Sequence, residues 1–119
     1  MANPFIHVEL STQDLPKAKE FYIRLFDWKL EDIPQFHYTL IGVGEGVGGG
    51  MMAAPNPDVP SHWMPYVDVA DINASTEKAK SLGANVIHGP MEIPDVGWIC
   101  VLIDPTGAAI GMYQPKRRG

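Results

Sequence analysis

His7-Val8-Glu9-Leu10, running into Asp14-Leu15 and an amphipathic stretch that ends at Phe26-Asp27-Trp28, decides how this chain is read. Tyr66-Val67-Asp68-Val69 repeats the pattern, running into Asp71-Ile72 and a stretch that ends at Leu82-Gly83-Ala84. Each copy is an alternating strand, an acidic cap, a helix and a turn, followed by apolar strands. A doubled strand–helix–strands unit matters because two such half-sheets can curl around one cleft.

The periodicities fill in the rest. Ile6, Val8 and Leu10 point one way along the first strand and His7 and Glu9 the other, as the two-residue repeat of a strand requires. Asp14 caps the first helix and Pro16 fits its first turn, where a missing N–H costs nothing. Leu15, Ala18, Phe21, Tyr22, Leu25 and Phe26 give that helix one apolar stripe. Short strands are expected at Trp28–Leu30, Phe36–Gly42 and Gly49–Ala53. The glycine-rich run from Gly42 to Gly50 lacks the lysine and hydroxyl residue of a phosphate loop and reads as a hairpin turn.

Three prolines between Ala54 and Ser61 predict a stiff extended connector. It separates a first module over residues 4–54 from a second over 62–115, with the connector at 55–61. In the second module Trp63, Val67 and Val69 share one strand face, and Met64, Tyr66 and Asp68 the other. Asp71 or Asn73 caps a helix through Leu82, which Gly83 ends. Strands follow at Asn85–His88, Gly97–Ile103 and Ala108–Gln114. The order is βαβββ twice, an α+β architecture of two modules forming a curved mixed-sheet cleft within a single 119-residue domain.

Composition narrows the function. A hydrophobic content of 45% with 19% charged residues describes a globule with a core. A formal charge of -5 argues against nucleic acid as a partner, because that would need a clustered basic face. The one basic run, Lys116-Arg117-Arg118, reads as a solvated tail. Cys100 is the only cysteine, so neither an intrachain disulfide nor a cysteine-based zinc site can form. Its apolar neighbours predict a small buried hydrophobe. Met1-Ala2-Asn3-Pro4 lacks the features of a secretory leader, and no apolar run is long enough to span a membrane. The expectation is a cytoplasmic protein without membrane contact.

These residues resemble the vicinal oxygen chelate superfamily, which includes glyoxalase I, bleomycin-resistance proteins, fosfomycin-resistance enzymes and extradiol dioxygenases. The opening stretch, with Phe21-Tyr22 and Leu25-Phe26-Asp27-Trp28, looks like that family's first strand and helix. Asp104-Pro105-Thr106-Gly107-Ala108-Ala109-Ile110-Gly111-Met112 looks like its closing turn and strand. The resemblance covers nearly the whole chain and implies the glyoxalase/bleomycin-resistance fold. It also implies a homodimer, by exchange of modules or by edge-on pairing.

Metal enzymes of this family take ligands from the first and last strand of each module, and the resemblance places those positions at His7, Gly50 (or Gly49), Met64 and Gly111. Only His7 is a credible ligand, whereas a metal site needs three or four N or O donors. No cofactor is therefore expected, and a displaced divalent-metal site built from His7, Glu9, His62 and Asp68 stays open as an alternative. Glycine at 50 and 111 is expected to leave a roomier, more apolar cavity. Met51 and Met52 are expected to wall that cavity with adaptable thioethers.

Tyr38, Trp63, Tyr66, Trp98 and Tyr113 all fall on expected strands, with core packing the default for at least half of them. Tyr66 and Tyr113 share cleft parity with Met64 and Gly111. His37 and His88 read as exposed or loop residues. The reading is a protein that binds a small apolar or aromatic molecule without a metal between Met52, Met64, Tyr66 and Tyr113, with His7 and Glu9 as polar anchors. One alternative is a lyase or isomerase related to lactoylglutathione lyase (glyoxalase I), using a divalent metal or His7/Glu9 acid–base chemistry. Another is an interaction module without a ligand. An extradiol dioxygenase fits least, since its iron requires two histidines and a carboxylate.

Overall fold

The computed structural model describes residues 2–116. Its elements are β1 (Phe5–Thr12), α1 (Leu15–Leu25), β2 (Lys29–Ile33), a 3-10 turn (Pro34–Phe36), β3 (Tyr38–Gly42), β4 (Gly49–Ala53), β5 (His62–Asp68), α2 (Ile72–Ser81), β6 (Asn85–Ile93), β7 (Gly97–Ile103) and β8 (Ala109–Pro115). The βαβββ order therefore occurs twice, in an α+β chain. Two compact units are formed, His7–Met64 on the one hand and Met1–Ile6 with Pro65–Gly119 on the other. Of the basic run Lys116-Arg117-Arg118, the two arginines lie outside the described residues, as does Met1.

In the unit His7–Met64, β1 pairs in parallel with β4, β4 antiparallel with β3, and β3 antiparallel with β2. Alternation along β1 sorts its side chains between two faces. Leu10 turns toward α1 and packs with Ile41 and Met51, and Leu15, Ala18, Tyr22, Trp28 and Leu30 close around them. Asp14 starts α1 by accepting the Lys17 N–H at 3.1 Å. The stripe on that helix splits. Tyr22 stacks on Trp28 at 5.5 Å and meets Trp63 edge-on at 5.4 Å, whereas Phe21 and Leu25 are 56% and 55% exposed. A stripe drawn through six positions is wider than one sheet face can cover.

Two further expectations change here. Met51 is the register partner of Leu10 and lies fully buried in the helix-side core, not on a cavity wall. Met52, one residue on, is the partner of Ser11 and takes the opposite face. His37 stands just after the 3-10 turn in the left-handed region (φ 51°), not within a strand.

In the other unit β5 pairs in parallel with β8, β8 antiparallel with β7, and β7 antiparallel with β6. Val69, Ile72, Cys100, Leu102 and Met112 form the core beneath α2, with Trp98 packed against it. Cys100 is buried there, as its apolar neighbours predict. Asp71 caps α2 through the Asn73 and Ala74 N–H groups, each at 3.1 Å. Gly83, at φ +98°, ends the helix with its N–H on the Lys80 carbonyl while Ala84 reaches back to Ala79. The closing turn is tied by Asp104. Its Oδ1 accepts the Thr106 hydroxyl at 2.6 Å and the Thr106 and Ala108 N–H groups at 2.7 and 3.1 Å. The hydroxyl bond, then those backbone bonds, hold the Asp104 carboxyl below the usual range.

Candidate functional site

The face of the first unit's sheet that turns away from α1 carries His7, Glu9 and Ser11 on β1, and Gly50 and Met52 on β4, with Glu9 opposite Gly50 and Ser11 opposite Met52. Leu40 lies opposite Gly50 on β3, so Tyr38, two residues earlier, shares this face. The Tyr38 ring then lies over Gly50. A Cβ added at Gly50 would fall inside that ring, on its Cε2, Cζ and hydroxyl atoms.

Tyr38 is held in this place from both sides. Its hydroxyl donates to Glu9 Oε2 at 2.9 Å and lies 2.7 Å from His7 Nε2. A phenol has one proton, and here it goes to the carboxylate, so the His7 bond requires an Nε2–H donor. The imidazole also stacks with the phenol ring, with centroids 6.1 Å apart and planes 23° apart. Burial pushes the His7 pKa below its ordinary value, which keeps the ring neutral at physiological pH. His7 and Glu9 are thus brought together through a tyrosine that sequence reasoning had only counted among strand aromatics.

The second unit repeats the relationship. Tyr66 on β5 is the register partner of Gly111 on β8, and a Cβ at Gly111 would fall onto the Tyr66 ring. Tyr66 is 3% exposed and Met64 is also buried. Asp68 pairs with Tyr113 on the same face. Burial, and then the Asp68 charge, raise the Tyr113 pKa. Met52 and Tyr113 are half-buried. Trp63 belongs to the Tyr22–Trp28 cluster, and its indole N–H is 3.3 Å from the Tyr22 hydroxyl. His37 and His88 are exposed.

Glycine at 50 and 111 therefore does not open the walls, as the sequence suggests it should. Each vacated side-chain volume is taken by a tyrosine ring. The same observation tests the fit of a metal ion at the family positions. Those positions supply one nitrogen donor, from His7, and a thioether. Gly50 and Gly111 offer neither a donor nor room for one. The displaced set does not assemble either. Among the described residues no three of His, Cys, Asp and Glu stand together as an ion would require. His62 is exposed, with its Nδ1 2.8 Å from the Pro60 carbonyl oxygen. Among the described residues, no family position other than His7 supplies the nitrogen or oxygen donor that a divalent cation requires.

A depression of about 520 Å³ runs along the outer side of α1, lined by Lys17, Glu20, Phe21, Arg24 and Leu25. Its charges are solvated, and Arg24 is paired with Glu20 at 3.2 Å, so no polar groups converge in it. Among the described residues no helix is long and apolar enough to cross a membrane.

Two βαβββ modules, each opening on a strand that pairs in parallel with its own last strand, define an α+β chain of the glyoxalase class. Residues 5–112 match the Glyoxalase/Bleomycin resistance protein/Dioxygenase superfamily, and the chain belongs to that family. It is 36% identical over 110 residues to "Putative glyoxylase CFP32" of Mycobacterium bovis, covering 90% of this chain and 42% of that protein. It is 26% identical over 124 residues to the anthracycline biosynthesis protein DauV of Streptomyces sp. (strain C5), covering 89% of this chain and 45% of DauV. The chain thus spans less than half the length of these curated relatives. Among solved structures, methylmalonyl-CoA epimerase from Mycobacterium tuberculosis shares the fold, with a TM-score of 0.71 at 18% identity over 95% of this chain and 88% of that one.

Proposed function

We propose that this chain binds a small apolar or aromatic molecule without the help of a divalent cation. One observation carries the reading: at two family ligand positions a glycine is covered by a tyrosine ring, Tyr38 over Gly50 and Tyr66 over Gly111. In the unit His7–Met64 the half-buried Tyr38 ring offers flat aromatic area beside the polar groups of His7 and Glu9, the usual composition of a small-molecule site. In that unit, His7 and Glu9 serve as the polar anchors and Met52 adds half-buried contact area.

The test is a thermal-shift screen of planar aromatic compounds in buffer containing a chelator. A ligand that binds the native state raises the melting temperature in proportion to its occupancy. The reading expects concentration-dependent stabilisation that persists with the chelator and weakens on His7→Ala. Stabilisation seen only after a divalent metal is added would overturn it.

A second reading, a lyase or isomerase, is favoured by the His7–Tyr38–Glu9 chain. A neutral imidazole and a carboxylate joined through one hydroxyl could take up and return a proton beside a carbonyl. Such chemistry also needs a group that stabilises the enolate oxygen. The Tyr38 proton is committed to Glu9, so that hydroxyl does not serve as the donor. Binding is therefore the preferred reading.

A further inference from the structure

Ser11 is 6% exposed, and its Oγ has no hydrogen-bond partner among the described residues. A buried hydroxyl left unsatisfied is destabilising, so its presence calls for something that completes it. The side chain follows His7 and Glu9 in the same row of β1, two residues beyond Glu9. Across the ladder stands Met52, next in the β4 row after Gly50. Glu9, Ser11, Gly50 and Met52 thus form one patch of two register pairs, with one small polar residue and one flexible thioether at its end. The neighbouring hydroxyls are already employed: Thr12 Oγ1 accepts the Asp14 N–H at 3.2 Å, and Ser61 Oγ accepts the Gln13 N–H at 2.9 Å. Neither is bonded to Ser11.

We propose that Ser11 and Met52 form a subsite that takes the hydroxyl oxygen of a neutral aromatic ligand. This rests on the small-molecule reading above and names the ligand class. A serine hydroxyl both donates and accepts, so it pairs with a phenolic O–H in either direction. Met52 adapts to the ring beside that oxygen. The Glu9 carboxylate in the same row disfavours an anionic ligand, because two like charges in a partly buried site repel. The subsite selects phenols over the parent hydrocarbon and over carboxylic acids.

The experiment is isothermal titration of wild-type and Ser11→Ala protein with 2-naphthol, naphthalene and 2-naphthoate. Ser11→Ala removes only an unpartnered hydroxyl, so the variant is expected to unfold at or above the wild-type midpoint. Wild-type protein should bind 2-naphthol about fivefold more tightly than naphthalene, the worth of one neutral hydrogen bond. It should bind 2-naphthoate most weakly. In Ser11→Ala the preference for 2-naphthol over naphthalene should fall to near one, with naphthalene unaffected. If the variant binds both and keeps the preference, Ser11 is completed by a buried water and the subsite is wrong, while the small-molecule reading stands. If wild-type protein binds none of the three, the subsite and the small-molecule reading both fail.

Discussion

Tyr38 lies across Gly50, with its hydroxyl set between His7 and Glu9, so that one phenol ring fills the space a ligand side chain would need. The glycine and the tyrosine are two halves of one exchange. Glycine weakens a strand interior by leaving nothing to pack, and an aromatic from a neighbouring strand can restore that contact.

Replacing Gly50 by alanine should therefore cost about 1–3 kcal/mol by overpacking, because the ring can yield only by giving up its bonds to His7 and Glu9. Tyr38→Ala should largely remove that cost. A double-mutant cycle of urea unfolding should give a clear coupling energy between residues 38 and 50, and additivity would show that the ring does not occupy this space. Gly49→Ala should be worse and not rescued by Tyr38→Ala, since its Cβ would meet the Val8 backbone carbonyl.

Tyr38→Phe keeps the ring and removes the hydroxyl. Two part-buried groups, an imidazole N–H and a carboxylate oxygen, lose a partner, at a cost of about 1–3 kcal/mol. Urea denaturation at neutral pH measures it. An unchanged midpoint would show that the hydroxyl bridges nothing.

His7 gives stability a dependence on pH. Burial depresses its folded pKa below the ordinary histidine value of 6.5, so above that pH both folded and unfolded states hold it neutral. As pH falls through 6.5 the unfolded chain takes up the proton first, and folded stability declines until the folded pKa is passed. His7→Gln, which keeps a donor for Tyr38 but does not titrate, should flatten the stability–pH curve between pH 7 and 5. A variant whose curve matches wild type would assign the decline to other groups.

The two sides of α1 should respond differently to mutation. Phe21→Lys and Leu25→Lys fall on exposed positions and should change stability by no more than about 0.5 kcal/mol. Tyr22→Ala removes the half-buried ring shared by Trp28 and Trp63 and should cost about 1–3 kcal/mol. Equal effects at all three positions would mean that the outer face of α1 is covered.

Most of the fold was legible because its signals are local. Asp14 and Asp71 each stand before an apolar-periodic run, Gly83 follows one, and strand alternation gave the faces of Leu10 and Glu9 directly. The α1 stripe was overread because periodicity reports which residues could face inward, not how much sheet is there to receive them. Parity placed His7 and Glu9 on one strand face, but Tyr38 was not tied to them. The link depends on β3 lying beside β4 and on a ring crossing to a glycine on the next strand, and neither leaves a mark in residue spacing. Ser11 was missed for a related reason: nothing in a sequence says that a serine hydroxyl will be buried without a partner.

Metal content tests the central claim most directly. Protein purified without chelators and assayed by elemental analysis, then titrated calorimetrically with Ni²⁺, Zn²⁺, Mn²⁺ and Fe²⁺, should hold no stoichiometric metal and show no site that depends on His7. One equivalent of a divalent ion, bound by wild-type protein and lost on His7→Ala, would contradict the account.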